Sequence, residues 1–521
     1  MADYDVVIAG AGPAGITLAL ELDRAGLRVA LLEGGDEDFD PDLQALYDGT
    51  VEGHDIVDLM AIRLRMLGGT SNHWGGHCLP LDPIDFDRRP LSGLSGWPFD
   101  RAHLDPYYAR AHEYLRLGAF DYSRDIVPGL GDGDFLLTEE PRVESAALRI
   151  SPGPLRFGDI YGAALRDAPR IDLQLRTAVV GLVLEGDDRI TGVEVVGPDG
   201  TRRVVAGRAV VLACGAVETA RLLMLANAAL GRRFGDAGEL LGKCYMDHPA
   251  AGAGFLRLSR PATDRAYWHG NLRTAEGTNV RYVWRLSDAV LEAEDLANTS
   301  FYLIPFSDDP AARQRAAESR RADRALRDIA KWVVRRPDRG FELSEAWCSF
   351  VTNADSFAAV TWEQAVHGRR TDSLLLRFES EELPSPHNRV TLSDSRDALG
   401  LPTPVLHWAP GEAERESVLR STVLIGQLCG QHGLGRVELE THFDAPFWGT
   451  TTSWHQLGTA RMAVNPREGV VDAQARVHGT RNLFVASGAA MPTNGRANPT
   501  LTIVALTIRL ADHLQDEGVL P

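Results

Sequence analysis

Apolar and polar positions sort this chain into a few strongly patterned stretches separated by weaker ones. Asp5 to Ala9 is apolar and β-branched without polar alternation, which predicts a strand buried on both faces. Ile16 to Ala25 has helical spacing, Gly26 ends it, and Arg28 to Leu32 predicts a second strand, giving a βαβ unit. A second β region opens at Ile171. IDLQLRTAVVGLVLEGDDRITGVEVVGPDGTRRVVAGRAVVLACG turns at GDD and PDG and predicts a β-meander. It ends in a buried strand, Ala209 to Ala213, which enters Gly215 and a helix over VETARLLMLANA. Near the C-terminus, Asn482 to Ala486 predicts a strand, Ser487 to Pro499 a loop and Thr500 to Leu514 an apolar helix. That order suggests one more strand in the N-terminal sheet. Between these stretches, Asp100 is placed to cap an amphipathic helix that carries Pro106 in its first turns. Asp121 to Gly158 is rich in Gly and Pro and predicts loops, and the Arg-rich stretch Asp309 to Arg339 predicts an exposed, charge-paired helix.

Composition narrows the classes. The 521 residues are 44% hydrophobic and 24% charged, enough for two or more cores. A net charge of −18 repels nucleic-acid phosphates and anionic lipid headgroups, so neither is expected as a partner. Cys78, Cys214, Cys244, Cys348 and Cys429 are scattered and odd in number, with no C-x-x-C spacing. They suggest neither a disulfide framework nor a zinc site, and no metal is expected. MADYDVVIAGAG runs straight into a strand, and no apolar run reaches membrane-spanning length. No membrane insertion is expected, and the cytoplasm is the default setting.

The chemistry concentrates at the two ends. Gly10, Gly12 and Gly15 form G-x-G-x-x-G between the first strand and the first helix. Gly10 permits the tight turn, Gly12 lets backbone approach a pyrophosphate, and Gly15 lets the helix pack close to the strand. The helix N-terminus offers free N–H groups to phosphates. Glu33 closes the second strand where a carboxylate can hold both ribose hydroxyls, which disfavours a 2′-phosphate. The motif alone fits FAD or NAD. LGGTSNHWGGHCLP (Leu67 to Pro80) sets His73 and Trp74 among glycines, as either backbone packed on a flat ligand or a plain glycine loop. Asn498, before Pro499, lies either at a ligand site beyond a strand end or simply at the cap of the last helix.

Six blocks together resemble the glucose–methanol–choline family of FAD-dependent oxidoreductases, nearly end to end: GAGPAG with Glu33; GGTSNHWGG; VLACGAVETARLLMLA; LLGKCYMDHP; ELPSPHNRVTLSDSRDALGLP; and the stretch from His455 onward. The resemblance implies an α/β fold, with a Rossmann-like FAD-binding domain and a second α+β domain for substrate, built on an antiparallel sheet. It divides the chain into 1–90, 160–249 and 451–521 for FAD, and 91–159 and 250–450 for substrate. FAD is then expected against Gly10, Gly12, Pro13, Ala14 and Gly15; Glu33 and Gly34; Gly69, Thr70, Asn72, His73, Trp74 and Gly75; Ala213, Cys214 and Gly215; and Gly488, Ala489, Asn498, Pro499 and Thr500. His455, in H-x-x-G-T, occupies the position of the family's catalytic histidine, with Asn498 in GRANPTLT at the partner position. That form is most similar to pyranose 2-oxidase and related sugar-oxidising members. Two departures stand out. Ser487 replaces an Asp common before the Pro-Thr pair, so a backbone contact near Gly488 could replace its diphosphate contact. His73 matches the spacing of a flavin-linked histidine, but Gly75 and Gly76 depart from that setting, leaving a covalent bond and a non-covalent neighbour both open.

The resemblance thus implies oxidation of an alcohol to a carbonyl on a sugar, glycoside, cyclitol or similar polyol, by hydride transfer to flavin with His455 as base. The electron acceptor is left open among O2, a quinone and a carrier protein. A lyase of the same family, oxidation of a simple non-sugar alcohol, and a flavoprotein without turnover are the alternatives.

Overall fold

A computed structural model describes the chain except for residues 1–2, 55–57, 95, 154, 264, 269–271, 312–313, 316–317, 319–320, 323–350, 353–369, 517–519 and 521. Most of the Arg-rich stretch Asp309 to Arg339 therefore lies outside the described residues.

The first sheet is built on β1 (Tyr4–Ala9), flanked in parallel by β2 (Val29–Leu32) and by β9 (Arg202–Leu212). β1 is buried on both faces, as its unbroken apolar run requires. Val6 and Ile8 point into one core with Leu31, Val211, the first helix (Pro13–Arg24) and the last helix (Thr500–Gln515). Val7 and Ala9 point into a second core with Ala30, Leu32, Val210 and the helix Gly215–Leu230. Each fully buried Val, Leu or Ile contributes about 1.5–3 kcal/mol of transfer free energy. β18 (Leu483–Val485) pairs in parallel with β9, so the last strand joins the sheet that the first strand began. The meander comprises β7 (Ala178–Glu185), β8 (Arg189–Val196) and β9, all antiparallel. β6 (Ile171–Gln174) is not part of it, contrary to the sequence pattern; it lies parallel to β2 at the sheet's far edge.

The second sheet is antiparallel, in the order β17 (Gly435–Leu439), β10 (Ala250–Thr263), β14 (Arg370–Ser380), β13 (Thr299–Pro305), β12 (Asn279–Leu286), β5 (Val143–Ile150) and β4 (His77–Cys78), with β11 (Leu272–Arg273) on β12. The helix Glu412–Gln431 covers one face, closing a core that includes Trp284, Phe301, Leu374, Leu376, Phe378 and Ile425. β5 corrects the expectation of loops from Asp121 to Gly158. VESAALRI lacks a clean alternation, yet Ala147, Leu148 and Arg149 are all buried against β12.

Two elements pack outside the unit that the division by sequence gives them. The helix Arg101–Leu115 lies on the first and last helices and places Leu104, Tyr108 and Leu115 in their core. Asp100 caps it, accepting from the His103 N–H at 2.9 Å. β15 (Arg389–Arg396) and β16 (Pro402–Trp408) form a small sheet with β3 (Thr50–Gly53) and pack on the helix Gly215–Leu230. Among the described residues, no helix is long and apolar enough to cross a membrane.

A buried ion-pair chain ties that small sheet to the first. Glu218 pairs with Arg63 at 2.8 Å and with Arg221 at 3.3 Å, and Arg221 pairs with Asp397 at 2.6 Å. Removing one partner of a buried network strands the others, so Arg221→Ala should cost about 3–5 kcal/mol in urea unfolding. A loss under about 1 kcal/mol, as for an exposed pair, would show that the network is not structural.

Candidate active site

The C-terminal ends of β1, β9 and β18, with part of the second sheet, surround a cavity of about 470 Å³. This is where α/β sheets bind ligands. Gly10 turns with φ +104°, and a Cβ there would stand 2.7 Å from the Ala213 carbonyl oxygen. A Cβ on Gly15 would stand 1.9 Å from the Gly10 oxygen, so this glycine serves helix–strand packing. Gly12, Gly75 and Gly215 differ: each lines the cavity, and a Cβ on any of them would meet no protein atom within 4 Å. Three loops thus present bare backbone to one space, a cradle suited to an extended, flat cofactor. Glu33 is buried at its edge. Its two oxygens accept from the N–H groups of Ala11 (2.9 Å) and Gly35 (2.8 Å), which leaves acceptor capacity on each for ribose hydroxyls.

Most expected cofactor positions line this cavity: Gly10, Gly12, Pro13, Ala14, Glu33, Gly69, Thr70, His73, Trp74, Gly75, Ala213, Cys214, Gly215, Gly488, Asn498, Pro499 and Thr500. Four do not, each for a local reason. Gly15 packs under Gly10, and Gly34 packs against Arg65, whose Nη2 would be 2.2 Å from an added Cβ. Asn72 turns its amide back to the Leu67 and Gly69 carbonyls, closing its own loop. Ala489 is buried in the core beneath the cavity. Ser487 lines the cavity, but its hydroxyl accepts from the Ala489 N–H at 3.2 Å.

His455 and Asn498 come together from opposite sides of the last strand. Asn498 Nδ2 lies 3.5 Å from His455 Nε2, and the last helix takes no side-chain cap, which excludes the capping role for Asn498. Its loop is held from beneath. Arg496 donates to both oxygens of partly buried Asp82, at 2.7 and 3.2 Å, and Asn494 donates to the Asp247 carbonyl at 2.7 Å.

His248, in the quoted block LLGKCYMDHP, completes the arrangement. Its Nε2 lies 3.0 Å from the Gly495 carbonyl, and its Nδ1 lies 3.0 Å from His455 Nδ1. A carbonyl oxygen only accepts, so His248 carries its proton on Nε2. Burial, followed by the neighbouring His455, lowers the His248 pKa to about 4, so the ring is neutral and its Nδ1 can only accept. His455 must then donate from Nδ1, which leaves Nε2 an acceptor, facing the Asn498 amide at 3.5 Å. Burial also lowers the His455 pKa to about 4, and Glu379 opposes that shift. Asp247 fixes the backbone: one oxygen accepts from the N–H groups of His248, Ser453 and His455, the other from the Thr452 hydroxyl. Asp247, His248 and His455 could together offer a metal three ligand atoms. Both carboxylate oxygens and both His248 nitrogens are already engaged within the protein.

The cavity also holds residues that the motifs did not single out, among them His77, Arg377, Glu379, Ser453, Trp454 and Gln456. Arg377 and Glu379 could have been found. LLLRFES places them two apart on a strand whose alternate residues, Leu374, Leu376 and Phe378, are core, so they share the opposite face. Glu379 accepts from Arg377 (3.1 Å), Ser453 (3.3 Å) and Tyr302 (2.8 Å). Its pKa is lowered to about 2: burial opposes ionisation, but Arg377 and the neighbouring histidines outweigh it. Cys214 is the cavity's thiol, and burial pushes its pKa up to about 12, which keeps it protonated.

Comparison with known proteins agrees with this geometry. Residues 3–45 match the model of an FAD binding domain, and residues 162–250 and 384–507 match two models described as GMC oxidoreductase. The fructose dehydrogenase large subunit of Gluconobacter japonicus is 25% identical, over 98% of both chains. The 2-methyl-1,2-propanediol dehydrogenase of Mycolicibacterium austroafricanum is 24% identical, over 98% of this chain and 95% of that one. The solved structure of a formate oxidase shares the fold, with a TM-score of 0.55 and 18% identity over 99% of this chain and 98% of that one. The chain belongs to the GMC oxidoreductases, which use FAD to oxidise alcohols.

Proposed function

We propose that the protein oxidises a secondary or primary alcohol of a sugar, glycoside or similar polyol to the carbonyl, with His455 as base and Asn498 as its partner. The single observation that carries this reading is the His248–His455 hydrogen bond. It leaves His455 Nε2 unprotonated beside an amide donor at the cavity. The substrate class is supported by the relatives, named for a sugar and a diol, and by the polar wall of Arg377, Glu379 and His77.

When bound, FAD would be held by Gly10, Gly12, Gly69, Gly75 and Gly215 and would supply the acceptor for the substrate's hydride. The protein's residues manage the proton. His455 Nε2 accepts the hydroxyl proton while Nδ1 keeps its hydrogen bond to His248. Asn498 donates to the same oxygen, orienting it and offsetting its developing charge. The imidazolium so formed faces the ionised Glu379. The alcohol loses one proton and one hydride, and the carbonyl product carries no charge.

His455→Ala should retain FAD but lower the rate of anaerobic flavin bleaching by about 10²-fold or more. Asn498→Ala should lower it less, because orientation is lost and the base remains. A His455→Ala protein that bleaches at the native rate would remove the histidine from the reaction.

The base works only when unprotonated, so kcat/KM should rise with pH through the His455 pKa and then level off. Burial holds that pKa below the ordinary value of about 6.5, so the plateau should already be reached at neutral pH. A limb still rising above neutrality would assign the proton to another group.

Acid precipitation reads the state of His73 directly. Colour retained in the pellet of the native protein and lost from that of His73→Ala is the result expected of a covalent flavin. Complete release from the native protein would make His73 a neighbour only.

A further inference from the structure

Resting on the oxidation reading above, we propose that the cavity wall formed by Trp454 with the Arg377–Glu379 pair is a subsite for a ring-form, uncharged sugar unit. The indole covers one C–H face of the ring, and the ion pair takes a hydroxyl other than the one oxidised.

Three observations carry this. First, Trp454 immediately precedes His455, lines the cavity and is 49% exposed. The other exposed large aromatic among the described residues, Phe39, does not line the cavity. An indole exposed beside the reacting position offers an apolar face to a ligand. Second, its backbone is left-handed, with φ +64°. A bulky residue takes that conformation only where its surroundings impose it, and such strain gathers at ligand sites. Here the Trp454 N–H donates to Thr452 Oγ1 at 3.0 Å, and Thr452 is itself bound to Asp247, so the residues that fix His455 also aim the indole. The Trp454 ring lies 5.6 Å from that of His73, a tilted contact that holds it at the cavity. Third, Glu379 and Arg377 keep spare hydrogen-bonding capacity. Glu379 Oε1 accepts from Arg377 and Ser453, but among the described residues Oε2 accepts only from Tyr302. Arg377 gives Glu379 one of its five N–H donors.

These features select among alcohols. A pyranose presents a C–H face to an indole and hydroxyls around its rim. An open-chain polyol has no such face, and a simple cyclic alcohol has no second hydroxyl to satisfy Glu379. Cations gain little, because Arg377 stands beside the carboxylate and offsets its charge.

The test uses the FAD-loaded enzyme and anaerobic flavin bleaching. The compounds are the methyl pyranosides of glucose, galactose and mannose, with sorbitol and cyclohexanol as comparisons. The best pyranoside should exceed both comparisons in kcat/KM by at least about tenfold, because sorbitol offers the indole no ring face and cyclohexanol lacks the second hydroxyl that a site built to bond one selects for. Trp454→Ala should bring that ratio close to parity by raising KM for the pyranoside, and Trp454→Phe should keep most of the preference. Glu379→Gln should lower the ratio against cyclohexanol. Native enzyme that treats sorbitol or cyclohexanol as well as any pyranoside overturns the subsite while leaving alcohol oxidation standing. So does a Trp454→Ala variant with an unchanged ratio. If none of the compounds bleaches the bound flavin, the oxidation reading fails, and the subsite with it.

Discussion

The carboxylate of Asp247 is the clasp on which this site depends. It is buried, and it joins two segments about two hundred residues apart by accepting three backbone N–H groups and one hydroxyl. Hydrogen bonds to a charged group contribute roughly 1.5–3 kcal/mol each, enough to hold an otherwise irregular segment in one conformation. Two consequences follow from that one group. His248 and His455 are brought into register, and, through Thr452, Trp454 is turned toward the cavity. Asn494 adds a bond from the catalytic loop to the Asp247 carbonyl, so the third segment is fixed to the same residue.

The parts of the fold legible in the sequence were those where one physical requirement dominates a short window. β1 had to be uniformly apolar because both of its faces are core, and the glycine turn after it had to accommodate a left-handed residue and a close helix. β5 was hidden because its burial comes from the neighbouring β12 and leaves no alternation of its own. β6 was misplaced because its pattern matches the meander, while its partner, β2, lies far away in the chain. No periodicity reports such a pairing.

Within the site, backbone-dependent positions were readable and side-chain convergence was not. Gly12, Gly75 and Gly215 announce themselves because only glycine leaves that space empty. The histidine pair does not. His248 sits in a quoted block, but its role comes from a ring–ring hydrogen bond across 207 residues. The family resemblance implies FAD contacts at Asn72 and Gly34, yet only their sequence neighbours line the cavity. The structure shows that adjacency in sequence is a poor guide where a chain doubles back within a few residues.

The order of strands across the first sheet has a consequence for synthesis. β9 lies between β1, made first, and β18, made almost last, and the loop carrying Asn498 follows β18. Gly12, Gly75 and Gly215 are all made early, but His455, Asn498 and the last helix, which closes the core under β1, arrive only near the end of the chain. Contacts of such long sequence separation form late. The cofactor cradle and the base are therefore completed together, by the same late-made segment that packs the last helix under β1.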